Sequence, residues 1–501
     1  MIIVKIRLQK YEKISYLSLF LIFLQKIRSV LFNSIEYVIF LPIVVMLFYL
    51  LPHRFRWMML LVASCTFYMW FVPKYILILL ITIIVDYSAG ILMEKHADNH
   101  KLKKRYLVIS IVSTCLVLFI FKYLGFVNDN LVALCQSLHI NLNTTVDLIL
   151  PIGLSFHTFQ SMSYVIEVYR GNQKAERNFG IYSLYVMFFP QLVTGPIERP
   201  GNLLRQLREE KKFDYDNISK GFRLIIFGLF IKMVVADNVG AYVDMIYEDP
   251  GKYNSWDIIL GMFFYSFQIY GDFFGYSTIA LGSAKLMGFD ITDNFNTPYL
   301  AKSIAEFWHR WHISLSTWFR DYVYFPLGGS RVKFGRWAFN IMVVFVLSGI
   351  WHGAAWNFLI WGAAHGLLHI VEKAILNHIP ERENKGRLET VIVDAFKIAK
   401  TFILVTLFWS MFRATSFANI SDLFSSLVNN FGVTEHLNIE SSIWVYLGLF
   451  ILIDILLFNS RFDKWCDNRP AVVRWAIYFV LIFMIIACSS VNNFPFIYFQ
   501  F

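Results

Sequence analysis

Apolar and polar positions alternate in long blocks along this chain, not residue by residue. Apolar blocks run over 35–51, 57–72, 75–93, 106–122, 148–169, 179–195, 217–236, 257–286, 338–354, 355–375, 396–412, 441–458 and 472–490. Most are long enough to cross a hydrocarbon layer as a helix. A membrane barrel would instead show short strands of alternating hydrophobicity. The pattern predicts an all-α polytopic membrane protein of about 11–13 membrane helices or re-entrant segments. Blocks broken by Gly or Pro, or carrying ionisable groups, are expected to tilt or to enter and return. No internal repeat or soluble appended domain interrupts the series.

Composition agrees. Of 501 residues, 57% are hydrophobic and 16% charged, against roughly 25% charged in soluble domains. The net charge of +10 is spread over short loops between apolar blocks: "PHRFRW" (52–57), "EKHADNHKLKKRY" (94–106), "YRGNQKAER" (169–177), "RQLREEKK" (205–212), "SRVKFGR" (330–336) and "SRFDKWCDNRPAVVR" (460–474). This is the retention pattern of cytoplasmic loops, and no extended basic face suggests nucleic-acid binding. The less basic stretches 123–147, 237–256 and 414–440 are placed outside. Alternation then requires the block 179–195 to enter and leave on one side. The cysteines at 65, 115, 135, 466 and 488 form no CxxC pair and no disulfide framework.

Residues 1–30 join the basic "MIIVKIRLQKYEK" to an apolar "ISYLSLFLIFL" too short to span comfortably. No small-residue cleavage site follows it. An interfacial helix or a start-site artefact fits it equally.

Ionisable groups at membrane depth are costly and mark candidate functional positions. In "LSGIWHGAAWNFLIWGAAHGLLH" (347–369), His352 lies between Trp351 and Gly353 and is flanked by small residues, which let a backbone or an extended substrate approach closely. A neutral imidazole there can take a proton near physiological pH. His365 and His369 share a helical face at i, i+4, but the glutamate of a zinc-binding HExxH is missing, so no metal is expected. "EFWHRWHISLSTWFRDY" (306–322) is the densest polar and aromatic stretch. Read as one helix, it sends Trp308, Trp311, His312, Leu315, Phe319 and Tyr322 to one side and pairs Glu306 with Arg310. "QIYGDFFGYSTIALG" (268–282) carries Asp272, and "FPQLVTGPIERP" (189–200) ends a broken segment with Glu198 and Arg199.

Together with "PIGLSFHTFQSMSYVIEVYRG" (151–171) and "YFPLGGSR" (324–331), these stretches resemble the membrane-bound O-acyltransferase family, in its bacterial alginate O-acetyltransferase-like branch. The block at 31–52 is similar to the usual start of that family, leaving 1–30 as an extension ahead of a membrane domain over 31–501. "PFIYFQF" at the C-terminus fits as well. The resemblance implies a multi-pass protein of the bacterial cytoplasmic membrane, with helices around a tunnel. Catalytic residues would be His352, at the histidine of "WHG", and His312, at the second polar position. Asp272, Trp351 and His365 are further tunnel candidates. His309 and Gly271 depart from the family pattern.

The activity implied is transfer of an acyl group, most simply acetyl, from a thioester such as acetyl-CoA to a hydroxyl of an extracytoplasmic polysaccharide or cell-wall glycan. Trp308, Trp311, Arg331, Lys333 and Arg336 would stand on the donor side, where cations suit the phosphates of coenzyme A. The chain has no GxSxG nucleophile elbow, which argues against an internal Ser-His-Asp triad; the resemblance implies a separate secreted serine acetyltransferase of the SGNH type as partner. D-alanyl transfer to teichoic acid and a polysaccharide or lipid transporter are the alternatives.

Overall fold

A backbone inside a bilayer must satisfy its own N–H and C=O groups, and helices do so segment by segment. The computed structural model follows this rule. It describes residues 32–70, 73–142, 144–146, 148–193, 195–376, 386–433, 436–490 and 496–497. The extension 1–30 and most of "PFIYFQF" lie outside the described residues. The principal helices are α1 (Ile35–Leu50), α2 (His53–Met69), α3 (Ile76–Lys95), α4 (His100–Ser137), α5 (Leu154–Arg170), α6 (Phe179–Met187), α7 (Pro200–Arg208), α8 (Tyr215–Glu248), α9 (Ser255–Leu286), α10 (Ile304–Arg310), α11 (Ile313–Phe319), α12 (Phe334–His352), α13 (Trp356–Leu376), α14 (Arg387–Arg413), α15 (Phe417–Asn429), α16 (Ser441–Leu456) and α17 (Ala471–Cys488). Among the described residues there is no strand, only a single bridge between Phe295 and Trp311.

The chain is therefore an all-α polytopic membrane protein. Seven of the described helices (α3, α4, α8, α9, α12, α13 and α17) are long and apolar enough to cross a membrane, and α1 and α16 are shorter apolar helices. The apolar blocks at 57–72 and 396–412 form helices α2 and α14, and two other blocks are interrupted. The block at 148–169 becomes helical only from Leu154, after Gly153 in the left-handed region (φ 78°). The block at 179–195 is broken at Phe188, then runs through a one-turn helix, Phe189–Leu192. The stretch 414–440, read as a loop, holds α15, whose Ile420 and Leu423 are buried. Its apolar positions sit three apart among polar ones, a weak signal beside the long apolar blocks.

Helix α9 is the central pillar, buried over most of its length. It carries Asp272, whose carboxylate pairs with Lys232 of α8 at 2.6 Å, while Lys232 also meets Asp237 at 2.5 Å. The three groups are almost fully buried. Asp272 also accepts the backbone N–H of Ile497 at 2.7 Å, so the segment after α17 is tied to the pillar. Asp272 is thus part of a buried triad and lies apart from the histidines of α12 and α13. Removing one partner of a buried ion pair costs about 3–5 kcal/mol, because the remaining charge loses its compensation. Lys232→Met is expected to lower the unfolding free energy in mixed micelles by about that amount. A loss under about 1 kcal/mol would mean that water already solvates the triad.

The stretch 306–322 is not one helix. Helix α10 ends at Arg310, Trp311 is extended (φ −101°, ψ 130°), and His312 sits in the left-handed region (φ 44°, ψ 55°) as N-cap of α11. The break is held by the loop before α10: Asn296 N donates to Arg310 O at 3.0 Å, and Ile313 N donates to Asn294 O at 3.0 Å. These bonds come from residues more than a dozen positions away, so helical spacing across 306–322 misassigns the faces. The Glu306–Arg310 pair is present at 2.9 Å, because both residues belong to α10.

Candidate active site

Helix α12 starts beside the basic loop 330–336 and ends at His352. Its 19 residues span about 28 Å, close to the thickness of a hydrocarbon core. Two cavities approach this helix from its two ends. The inner one, of about 330 Å³, is lined along α12 by Trp337, Ile341, Val344, Phe345 and Ser348, and across from it by Trp308, Ser316, Arg320 and His369. It follows one face of α12 for about 16 Å, toward the C-terminus. The outer one, of about 510 Å³, is lined by His352 and Trp351 at the end of α12, by the turn Gly353–Ala355, by Pro151–Gly153, Ser155 and Phe156, and by Lys122, Asn357 and Thr415.

Ser348 and His352 are four residues apart on one helix face, about 6 Å along the axis. The two cavities therefore come within one helical turn of each other. What separates them is a buried apolar cluster of Phe156, Phe159, Ile197, Leu315, Trp318, Phe319 and Trp351. Leu315 and Phe319 face the inner cavity, while Phe156 and Trp351 face the outer one. Phe159 stacks between Trp318 (3.9 Å) and Trp351 (5.3 Å). The Trp318 indole is fixed by donating to Phe159 O at 3.0 Å and Ser163 Oγ at 2.9 Å. The septum is thus a single aromatic stack with hydrogen-bonded edges.

His312 lies within the septum and lines neither cavity. Its ring is edge-on to Phe273 at 4.6 Å, stacked toward Phe156 at 6.2 Å and 6.3 Å from Trp351. It is 1% exposed, and neither ring nitrogen has a hydrogen-bond partner among the described residues. A buried polar group without a partner is expensive. The left-handed backbone at His312 is uncommon for a residue with a side chain, and such strain gathers at sites that use it. The His352 ring packs edge-on against Trp351 (4.9 Å), Trp361 (5.1 Å) and Phe412 (5.2 Å).

The other candidates distribute unevenly. Trp308 lines the inner cavity. Trp311 does not: it is buried against Phe295 (5.0 Å) and Trp409 (4.8 Å) and supports the break at 311–312. Arg331, Lys333 and Arg336 are exposed at the start of α12 and line neither cavity; the cation that does line the inner one is Arg320. His365 is buried beside Trp308 and Trp361, each at 5.0 Å, outside both cavities. Glu198 is fully buried and accepts from Asn202 Nδ2 at 2.7 Å and Thr292 N at 2.5 Å. Burial pushes its carboxyl up, against those bonds and the neighbouring Arg199. The adjacent Ile197 completes the septum, its N–H donating to Ser314 Oγ at 3.0 Å.

Sequence reasoning missed Lys122, Ser348 and Arg320. Ser348 and Arg320 sit in singled-out stretches but are passed over there, and Lys122 reaches the site through contacts that spacing along the chain does not reveal.

Comparison with known proteins bears on the same residues. Residues 177–413 match the profile described as MBOAT, membrane-bound O-acyltransferase family. The chain is 36% identical to the probable alginate O-acetylase AlgI of Pseudomonas aeruginosa, over 75% of this chain and 70% of that protein. It is 32% identical to the peptidoglycan O-acetyltransferase of Helicobacter pylori, over 76% of each. With the teichoic acid D-alanyltransferase of Bacillus subtilis it shares 32% identity over 44% of this chain and 58% of that protein. The matched region at 177–413 contains α12, His312 and the whole inner cavity.

Proposed function

The chain belongs to the membrane-bound O-acyltransferase family and is a multi-pass O-acyltransferase, and on that premise we propose that it carries an acetyl group from a cytoplasmic thioester to an extracytoplasmic glycan. The observation that carries this reading is the pair of cavities meeting at one turn of α12, with His352 on the outer side. The inner cavity begins at the basic end of α12, where positive-inside retention places the cytoplasm. It suits a long, thin donor arm whose thioester arrives near Ser348. The outer cavity suits a bulkier hydroxylated acceptor. A thioester carrier such as acetyl-CoA is the donor, with its anionic part near Arg320 and the exposed Arg331, Lys333 and Arg336.

In the reaction, the acceptor oxygen attacks the thioester carbonyl carbon, and a C–O bond forms. His352 removes the hydroxyl proton as general base. The tetrahedral intermediate holds its negative charge on the former carbonyl oxygen. His312, with a ring N–H unclaimed by the protein, is the donor proposed for that oxygen. Collapse breaks the C–S bond, and the proton on His352 passes to the leaving thiolate. The reaction requires the septum to part, because donor and acceptor reach it from opposite faces.

Acetyl is favoured over D-alanyl by the longer match to the two acetyl-transferring relatives. The acceptor is read as a polysaccharide or cell-wall glycan in a bacterial cytoplasmic membrane. A serine acetyltransferase outside that membrane would pass the group to sugar. Family membership leaves the transporter alternative without support.

The test is sidedness. Inside-out membrane vesicles containing the protein should consume externally supplied, labelled acetyl-CoA, and right-side-out vesicles should not. Consumption only by right-side-out vesicles would overturn the reading, whereas consumption of a D-alanyl carrier alone would keep the geometry and change the group. Ser348→Trp should fill the end of the inner cavity where the thioester arrives, raising donor KM about tenfold and lowering kcat as well, since a displaced thioester misses its attack geometry. Unchanged donor KM in this variant would place the donor elsewhere.

A further inference from the structure

A helix leaves its last four carbonyls without intrahelical partners, and α12 ends at His352 itself. Gly353 follows in extended conformation (φ −162°), so the usual left-handed cap is absent. The carbonyls are met from elsewhere in the chain. Lys122 Nζ donates to Trp351 O at 2.6 Å and to His352 O at 3.0 Å. Tyr123 OH donates to Ile350 O at 2.9 Å. Two consecutive side chains thus hold three consecutive carbonyls, more than two hundred residues away. Both lie in the widened turn Phe119–Tyr123 inside α4, a local geometry frequent at functional sites. Seven residues on, Asn130 Oδ1 accepts the Trp356 indole N–H at 2.9 Å, so α4 also grips the start of α13.

The Lys122 ammonium is an unusual choice for a cap. It lines the outer cavity beside His352, and its nitrogen lies 5.9 Å from the Trp351 ring centroid. Among the described residues no carboxylate stands within ion-pair distance of it, and the outer cavity is lined by no Asp or Glu. Lys122 is half-buried, and a neutral donor such as Tyr123 would suffice for a purely structural cap. Cation-to-carbonyl bonds are stronger than neutral ones. They fix the peptide on either side of His352, and with it the direction in which the imidazole leaves the backbone.

We propose that Lys122 is a positioning residue for acyl transfer, clamping the end of α12 so that the His352 ring faces the outer cavity. The inference rests on the reading of His352 as general base. A base displaced by about 1 Å loses on the order of a hundredfold in rate without losing its substrates. The test compares purified, monodisperse Lys122→Met, Lys122→Arg and Tyr123→Phe proteins with wild type, using labelled acetyl-CoA and the partner or glycan acceptor. Lys122→Met should lose about a hundredfold in kcat, with donor KM within about twofold. Lys122→Arg, which keeps cationic donors, should recover at least tenfold of that loss. Tyr123→Phe should cost less than Lys122→Met.

A Lys122→Met protein with wild-type kcat would overturn the proposal, as would equal losses in the Met and Arg variants. If Lys122→Met does not fold, the Arg variant still decides: kcat within about tenfold of wild type supports the clamp, and any larger loss refutes it. His352→Ala separates this inference from its premise. Activity surviving that substitution removes the base, whereas an inactive His352→Ala beside a fully active Lys122→Met removes only the clamp.

Discussion

His352→Ala is expected to lower acyl transfer by about a thousandfold or more, within the range for a positioned general base. The protein should remain folded, since the ring is held by edge contacts with Trp351, Trp361 and Phe412 and its loss leaves a cavity in an otherwise intact aromatic wall. The measurement is turnover of labelled acetyl-CoA by purified protein, alongside size-exclusion behaviour. Donor binding should survive, because the inner cavity does not include the residue. A His352→Ala protein with wild-type turnover would remove the proposed chemistry, leaving the fold and family untouched.

The second large effect is expected where α12 and α13 cross. Gly349 and Gly362 face each other there. A methyl at Gly349 would collide with the Phe358 carbonyl, and one at Gly362 with the Phe345 carbonyl. Backbone atoms cannot rotate aside as side chains do, so the helices must separate. Close approach through small residues is the ordinary means of joining membrane helices, where hydrophobic burial gives no net drive. Gly362→Leu should therefore cost several kcal/mol, comparable to the worst overpacked or strained substitutions. It should yield little monodisperse protein, and what folds should be inactive, because Gly349 lies one turn from His352. Thermal unfolding of the purified variant gives the answer. A midpoint within a few degrees of wild type would mean that the crossing tolerates separation.

Much of this arrangement is legible in the chain. Long apolar blocks give the helices, because a bilayer leaves the backbone few options. His352 is singled out as a candidate before any coordinates are known, by its small-residue setting and mainly by the family resemblance. Other features are hidden for definite reasons. The turn at Trp311–His312 depends on hydrogen bonds to Asn294 and from Asn296, and residues 306–322 alone read as one helix. Lys122 sits in an apolar block of α4 and would pass as a snorkelling lysine; only the folded chain brings it to the end of α12. Arg331, Lys333 and Arg336 are prominent in sequence, yet Arg320 stands in the inner cavity, because the turns after α11 carry the basic loop outward. Asp272 reads as a tunnel acid until Lys232, which it shares with Asp237, is seen to engage it.

The aromatic septum has a consequence for the cell as a whole. A protein hollowed from both faces of an energised membrane risks becoming a leak, and each proton lost through it would drain the gradient that powers the cell. With Phe156, Phe159, Trp318 and Trp351 packed between the two cavities, apolar rings stand where an ion would have to pass. On the proposed reading only a small fragment changes hands there, while carrier and recipient stay in their own compartments. The molecule would then export a chemical group while remaining electrically tight, a task that a pore of equal length would not accomplish.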